Sequence, residues 1–415
     1  MRLNKKKIIN DPVFGFINLQ SELVFDLLEH STFQRLRRIK QLGLSFLVFP
    51  GANHSRFEHA VGATHLMRQA IQVLRLKGHE ISNAEAEAVT VAILLHDIGH
   101  APFSHVLENT LVEISHEDIS LLLMQELNRE FNGKLDLAIE IFTNHYKKKF
   151  LHQLVASQLD IDRMDYLSRD SFFTGVSEGI VGTDRIIKML NIRNDKLVVD
   201  AKGIYSIEKF LIARRLMYWQ VYLHKTVVAA EFMLINVLKR AKELVAQGVP
   251  VYATPTLSVF LEHNLTSETF AGNLNINGRN ILDWFVLLDD NDILTSVKEW
   301  QFHADQVLST LAKSITNRKL FQIKIKNKPI SKTQEEKMIQ RISEEITHDK
   351  HTARYFLISE EITNNALNRH SENIHILYKD GKVKDIRKAS DINLSALTKT
   401  VRKYFVCFPK ELDFY

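Results

Sequence analysis

Val91-Ala92-Ile93-Leu94-Leu95-His96-Asp97-Ile98-Gly99-His100-Ala101-Pro102-Phe103-Ser104-His105 decides how the rest of this chain is read. An apolar run ends in an adjacent His-Asp pair, followed by two further histidines and the breakers Gly99 and Pro102. Adjacent side chains on a regular helix point about 100° apart, so His96 and Asp97 converge on one ion only near a helix end or beside a groove. An imidazole and a carboxylate together suit a divalent cation. His59 upstream and Asp162 downstream supply a third and a fourth candidate ligand.

Working outward, Asn83 is placed as the N-cap of the helix that carries the pair, with Glu85 and Glu87 in its first turn. Ala88, Val91, Ala92 and Leu95 form its apolar face. His96-Asp97 then falls at the helix C-terminus, where the macrodipole favours a cation. Upstream, Leu44–Phe49 reads as a short strand or bridge closed by the Pro50-Gly51 turn. Ser55 and Glu58 form a capping-box pattern for a helix running to about Lys77, before Gly78. Arg56 and His59 sit in its first turn, where the field suits phosphate and opposes a cation, so carboxylates must outweigh it. Downstream, a helix is expected over Val155–Ser168, with Asp162, Asp165 and Tyr166 on one face. Asp160, Asp162 and Asp165 repel one another unless a metal or basic groups offset them, which predicts a ligand here.

The order H…HD…D, with Phe49-Pro50-Gly51-Ala52-Asn53-His54-Ser55-Arg56-Phe57-Glu58-His59, the stretch 96–105, and Asp162-Arg163-Met164-Asp165-Tyr166-Leu167-Ser168-Arg169-Asp170, resembles the HD phosphohydrolase superfamily. Within it, the words are similar to the bacterial type of the deoxynucleotide triphosphohydrolase branch. The likeness runs from about Asp11 to Lys225. It implies a mainly α-helical fold with an HD-domain helical core, and a divalent metal ion (Mn, Fe, Mg, Co or Zn) on His59, His96, Asp97 and Asp162. The implied reaction is hydrolysis of deoxynucleoside triphosphates, with metal-activated water attacking the α-phosphate to leave a deoxynucleoside and inorganic triphosphate.

By the same resemblance, His105 lies next to the scissile bond and His116, supported by Glu117, is a second catalytic histidine, with His100 a further candidate for proton transfer. Arg56, Arg163 and Arg214 are implied to clamp phosphates, Arg163 standing where the vertebrate relative has Lys. Tyr166 and Asp170 match residues that contact the deoxyribose, and Gln41, Leu42 and Tyr222 match the wall that excludes a 2′-hydroxyl. Gln34, Arg37, Arg185 and Lys225 line up with a nucleotide-activator site, although Glu29 replaces an Asp there. Partners implied are a nucleotide substrate, a nucleotide activator, and copies of the chain in a dimer or tetramer. Two alternatives stay open: hydrolysis of another nucleotide ester (GDP, an alarmone or a cyclic dinucleotide), and a nucleotide- or nucleic-acid-binding regulator.

Composition bounds these readings. The chain has 415 residues, 45% apolar, enough for a large core and more than one domain. Its single cysteine, Cys407, excludes an intramolecular disulfide and a Cys-based zinc site, and fits a cytoplasmic setting. No apolar stretch reaches membrane-spanning length, so no membrane partner is expected. A net charge of +5 suits anionic ligands and permits nucleic acid, which is not favoured. Three regions are expected: 1–250 as the catalytic core, 251–315 as a helical extension, and 316–415 as a smaller C-terminal α+β lobe.

The remaining local expectations are a helix over Ser21–Lys40 carrying a basic face of Arg35, Arg37, Arg38 and Lys40, and a small hairpin at Leu197–Ile204. A long helix is expected from Ser206 to about Ala246, with Arg214, Tyr218 and Tyr222 on one stripe. Trp284 and Trp300 are the expected core anchors of the extension. In the C-terminal lobe, strands are expected at Leu320–Ile330, Tyr355–Ile358 and Lys403–Phe408, a charged helix at Ser331–Ile346 and a hairpin at Ile374–Val383.

Overall fold

The computed structural model of the chain describes residues 7–19, 21–103, 106–108, 110–364, 373–394, 401–412 and 414. The fold is mainly α-helical, with small sheets and a smaller α+β lobe formed by the C-terminal stretch. It opens with an antiparallel hairpin, β1 (Lys7–Asp11) and β2 (Gly15–Leu19), that the sequence reading did not anticipate. The helix expected over Ser21–Lys40 is interrupted: α1 (Glu22–Glu29) ends at His30, whose ψ of 140° is extended. The chain resumes as short turns at Ser31–Gln34 and Arg35–Arg38. The break rotates Arg35 inward, where it is fully buried, while Arg37 and Arg38 stay exposed. Leu44–Phe49 is likewise no strand; a 3-10 turn spans Gly43–Leu47.

α2 (Arg56–Leu76) starts at the expected capping box, with Glu58 Oε2 accepting from the Ser55 amide at 2.6 Å, and stops before Gly78, whose φ is +88°. α3 (Asn83–Leu95) is capped one residue earlier than expected. Ser82 Oγ accepts from the Glu85 amide at 3.1 Å and Glu85 Oε2 from the Ser82 amide at 2.8 Å, which makes Asn83 the first helical residue. α3 is buried on nearly every face beyond its first turn, as for a helix at the centre of a bundle.

α4 (His116–Glu130), α5 (Asp136–Phe142), α6 (Lys149–Val155) and α7 (Ile161–Thr174) complete the core. The helix expected over Val155–Ser168 starts later: Val155 ends α6, residues 156–160 are not helical, and α7 begins at Ile161. Asp160 is the N-cap of α7, accepting from the Arg163 amide at 2.8 Å, so Asp162 lies in a first turn. α7 ends on Gly175, whose φ of +73° is left-handed. α2 packs between α3 and α7.

The hairpin expected at 197–204 lies earlier, as β3 (Leu190–Arg193) and β4 (Lys196–Asp200). Its two turn residues, Asn194 and Asp195, both have positive φ (+52° and +58°), the type I′ geometry that matches strand twist. The expected helix from Ser206 to Ala246 is broken. α8 (Ile204–Met217) passes into a π-turn over Tyr218–Tyr222, closed by the Leu223 amide on the Tyr218 carbonyl at 2.7 Å. α9 (Lys225–Ala246) restarts under a His224 cap, and the two segments are bent by 54°. No single helix among the described residues is long and apolar enough to cross a membrane.

Beyond Pro250, α10 (Ile281–Leu287), α11 (Asp290–Trp300) and α12 (Gln306–Thr316) follow, with α12 packed against α9. Trp300 is a core anchor as expected, donating to the Tyr252 carbonyl at 2.6 Å; Trp284 is half-buried and donates to that of Ile276. The C-terminal stretch supplies β5 (Gln322–Lys326), a helix at Lys332–Ile342, β6 (Ile358–Asn364), β7 (His375–Leu377), β8 (Val383–Asp385) and β9 (Val401–Phe408). Tyr355 and Phe356 belong to a 3-10 turn, so the expected strand begins at Ile358. One sheet has the order β6-β9-β5. The other, β8-β7-β4-β3, carries the C-terminal hairpin onto β4 through a parallel pairing of Ile376 with Val199.

Candidate active site

Three elements converge on one buried point. α2 brings His59, the C-terminal end of α3 brings His96 and Asp97, and the first turn of α7 brings Asp162. His59 Nε2 lies 3.2 Å from Asp162 Oδ1 and 3.8 Å from Asp97 Oδ2. His96 Nε2 lies 3.3 Å from Asp97 Oδ1, 3.5 Å from Asp162 Oδ1, and 3.4 Å from His59 Nε2. The other nitrogen of each ring is already engaged: His59 Nδ1 with Asp165 Oδ2 at 2.7 Å, His96 Nδ1 with the Ile93 carbonyl at 2.6 Å. These outer partners fix the tautomers and leave both Nε2 lone pairs aimed at the same spot.

Two imidazole acceptors facing each other beside two carboxylates need a positive charge between them. Burial opposes charge on His59, yet Asp162 and Asp165 overcome it and push its pKa up to about 10. For His96 burial also opposes charge, and Asp97 and Asp162 again prevail to raise it. Burial alone would lift Asp97 and Asp162; the facing histidines hold both well below the usual carboxylate range. The donor set of two imidazoles and two carboxylates fits a divalent metal, and the ligand atoms of His59, His96 and Asp97 all lie within 4.8 Å of one another.

Behind the quartet, Asp165 is fully buried and accepts from Arg169 Nε and Nη2 at 3.0 Å each, and Arg169 Nη1 reaches Asp11 Oδ2 at 2.7 Å. Gly62 makes this approach of α2 and α7 feasible, because a Cβ there would overlap Asp165 Oδ1 and Arg169 Nη2. Arg35 supports the other side. It donates to the carbonyls of Ile98 at 2.9 Å and His100 at 3.0 Å, bracing the turn after Asp97, and stacks on Phe285.

That turn sets the remaining histidines. Gly99 touches α4 so closely that a Cβ would overlap the His116 carbonyl and the Ser120 amide. The contact brings the rings of His100 and His116 into a stack, 3.9 Å between centroids. His116 Nδ1 is held by Glu108 Oε1 at 2.7 Å, and its Nε2 lies 3.3 Å from Glu117 Oε1. His100 Nε2 lies 3.3 Å from Asp97 Oδ1; burial, then the Arg56 charge, lowers its pKa to about 3. His105 lies outside the described residues. Glu108 escaped the sequence reading; its signal was an acid eight residues before His116 in the same linking loop.

Beside the quartet opens a cavity of about 500 Å³, and Gln41, Leu42, Arg56, Tyr166, Asp170 and Tyr222 all line it. Arg56 joins the two regions, with Nη1 2.5 Å from Asp97 Oδ2. Asp170 accepts from Tyr222 Oη at 2.8 Å, and its other oxygen lies 2.8 Å from His54 Nε2. Tyr218 and Glu231 also line the cavity and were not singled out as pocket residues from sequence. Arg163 and Arg214 do not line it. Arg163 pairs with Asp160 and Arg214 donates to Gln158 Oε1 at 2.9 Å, while the Nε of each is buried without a hydrogen-bond partner among the described residues.

The four residues matched to an activator site occupy three places. Arg37 Nε donates to Gln34 Oε1 at 2.8 Å, with its guanidinium over Phe57. Arg185 lines a different cavity, with Phe172 and Thr183, and Lys225 is the exposed first residue of α9.

Comparison with known proteins is consistent with this geometry. A model of the HD domain matches residues 56–170, and one of the HD associated region matches 181–275. The uncharacterized protein YwfO of Bacillus subtilis is 35% identical over 330 residues, covering 77% of this chain and 72% of that protein. The deoxynucleoside triphosphate triphosphohydrolase SAMHD1 homolog of Dictyostelium discoideum is 30% identical over 257 residues, covering 57% of this chain and 50% of the homolog. Among solved structures, a phosphohydrolase from Bacteroides thetaiotaomicron superposes with a TM-score of 0.93 at 52% identity, covering 97% of this chain and 99% of that one.

Proposed function

The chain belongs to the HD-domain family, and from that membership we propose that it is a metal-dependent deoxynucleoside triphosphohydrolase, releasing a deoxynucleoside and inorganic triphosphate. The observation that carries the reading is the shared wall: Arg56 belongs both to the His59–His96–Asp97–Asp162 quartet and to a cavity floored by the Asp170–Tyr222 pair. A triphosphate over the quartet leaves room in that cavity for a nucleoside.

When bound, a divalent cation on the quartet supplies Lewis acidity toward a phosphoryl oxygen and lowers the pKa of water. The chain supplies the rest. Arg56 fixes a phosphate oxygen beside Asp97, while phosphate contacts from Arg163 and Arg214, which do not line the cavity, rest on the resemblance. Asp170, held by Tyr222 and His54, accepts from a sugar hydroxyl. By the resemblance, Tyr222, Gln41 and Leu42, which line the cavity, are the wall that leaves no room for a ribose 2′-hydroxyl. His116, with Nδ1 tied to Glu108, presents Nε2 for proton exchange. The corresponding role for His105, at the departing 5′-oxygen, rests on the resemblance.

The test is a panel of eight nucleoside triphosphates with each candidate ion, products separated by chromatography. Triphosphate from deoxynucleotides and its loss in Asp97→Ala support the reading. Orthophosphate or pyrophosphate instead, or equal rates with GTP and dGTP, overturns it in favour of another nucleotide ester. The activator role of Gln34, Arg37, Arg185 and Lys225, and a dimer or tetramer, are proposed with it; sedimentation unchanged by dGTP and dATP removes the activator.

A further inference from the structure

The chain just before α2 curls back on itself: the Ala52 amide donates to the Phe49 carbonyl at 2.8 Å, and Asn53 Nδ2 to that of Pro50 at 2.7 Å. Gly51 seats this turn against the end of α7, where a Cβ would overlap the Phe173 carbonyl. The turn delivers the His54 ring, fully buried, into a stack on Phe173, with 4.5 Å between centroids and planes 15° apart. From there Nε2 lies 2.8 Å from Asp170 Oδ1, while the His54 carbonyl accepts from the Gln41 amide at 3.0 Å. Nδ1 is buried with no hydrogen-bond partner among the described residues, so the ring proton belongs on Nε2, facing Asp170. Two lining residues of the cavity, Asp170 and Gln41, thus hang on one residue that does not itself line it.

We propose that His54 is a positioning residue for sugar recognition: its Nε2–H locks the Asp170 carboxylate in the orientation that reads the sugar's free hydroxyl. This rests on the cavity being a nucleoside site. In a deoxynucleoside triphosphate the 5′-oxygen carries phosphate and the 2′-oxygen is missing, which leaves the 3′-hydroxyl as the sugar's single donor. A carboxylate accepts about four hydrogen bonds through its two oxygens. Tyr222 Oη donates to Oδ2 and His54 Nε2 to Oδ1, so the carboxylate plane is pinned from both sides and its remaining lone pairs have set directions. Without the His54 donor only Tyr222 holds the group, and the carboxylate can turn about its Cβ–Cγ bond. An acceptor that must be ordered on binding gives up the advantage of one already in place, so the hydroxyl stops contributing. The expected preference for a 3′-hydroxyl over a 3′-hydrogen is roughly 10- to 100-fold in affinity, the range of a hydrogen bond to a charged acceptor.

The test compares the binding of each deoxynucleoside with that of its 2′,3′-dideoxy counterpart, by calorimetry, without phosphate or turnover. His54→Phe keeps a ring to stack on Phe173 and removes the donor. His54→Gln gives up the ring and keeps an amide donor near the Nε2 position. The preference for the 3′-hydroxyl is expected in the unmodified chain, lost in His54→Phe and largely kept in His54→Gln. A merely structural loss weakens both nucleosides alike and leaves their ratio unchanged. Equal affinities in the unmodified chain, binding of neither nucleoside, a ratio that survives His54→Phe, or a ratio lost equally from both variants overturns the proposal. Melting temperature is the control for folding; if His54→Phe does not fold, His54→Asn, whose amide stops short at the Nδ1 position, takes its place. Triphosphate release is read separately. A hydroxyl preference that depends on His54 in a chain releasing no triphosphate sinks the hydrolysis reading alone. Triphosphate release with equal nucleoside affinities sinks only the role of His54.

Discussion

Replacing Asp165 by Asn tests how the quartet is held together. The side chain keeps its shape, and its amide oxygen can still accept from His59 Nδ1, now 2.7 Å from the carboxylate. What disappears is the negative charge placed between His59 and Arg169. Loss of such an outer carboxylate lowers metal affinity about 10- to 100-fold, or about 1.4 to 2.7 kcal/mol. Asn, keeping the hydrogen bond, belongs near the lower figure. Asp165→Leu, which also frees the imidazole to rotate, belongs near the upper one. Stability falls too, because Arg169 is fully buried and keeps only Asp11 at 2.7 Å; half-breaking a buried pair of this kind costs about 3 kcal/mol. The assay is competition with a chromophoric chelator for the metal, alongside thermal unfolding of the metal-free chain. Metal affinity unchanged in both variants would refute the reasoning, since the ring orientation of His59 would then owe nothing to Asp165.

Gly62→Ala forces a methyl into that same ion pair, so melting should drop by at least the 1–3 kcal/mol typical of overpacking, with metal affinity falling alongside; an unchanged melting curve contradicts the proposed close approach. Arg35→Leu strips the carbonyls of Ile98 and His100 of their buried donor, at about 1–3 kcal/mol each, and should reduce turnover at saturating metal; full turnover in a folded variant would mean the turn holds without it. Glu85 accepts from Tyr146 Oη at 2.6 Å, the Ser82 amide at 2.8 Å and Lys148 Nζ at 2.9 Å. Burial would raise its pKa, yet these donors bring it down to about 2 from an ordinary 4.5. A carboxyl depressed by folding contributes stability that is complete above about pH 4.5 and lost as pH falls toward 2. Glu85→Gln should therefore flatten the acid limb of the unfolding curve in that window, and coincident limbs would dismiss the effect.

The parts of the fold legible in sequence are those whose partners are near in the chain. Ser55 and Glu58 cap α2 where expected because a capping box is complete within four residues. The HD pair falls at the end of α3 as read, although Ser82, one residue away and chemically equivalent as a cap, displaced Asn83. Breaks that depend on distant groups were not legible. His30 stops α1 while its ring lies 2.9 Å from Glu130, a hundred residues on, and periodicity is blind to that. The stripe of Arg214, Tyr218 and Tyr222 read as continuous helix because a π-turn adds a residue without changing composition. Arg35 was read as solvent-facing with its neighbours. Its carbonyl partners at Ile98, His100 and Leu288 are 63, 65 and 253 positions away. Four candidate ligands came together because the family motif stores their geometry; Glu108 and Glu231, outside the motif, had to be seen in place.

The strand pairing between Val199 and Ile376 has a consequence for biosynthesis. β4 is translated 376 − 199 = 177 residues before the strand that covers it. At ribosomal speeds of about 5–20 residues per second, that edge waits roughly 9–35 s with only the β3 side of its ladder satisfied. Val199 and Ile376 are both buried in the finished protein, so a sticky, half-saturated edge is on offer to other nascent chains during the interval. Slow codons or a crowded polysome lengthen that exposure, and a chaperone that shields extended segments shortens it. Yield of this protein in a host cell is thereby tied to the last quarter of its message arriving on time.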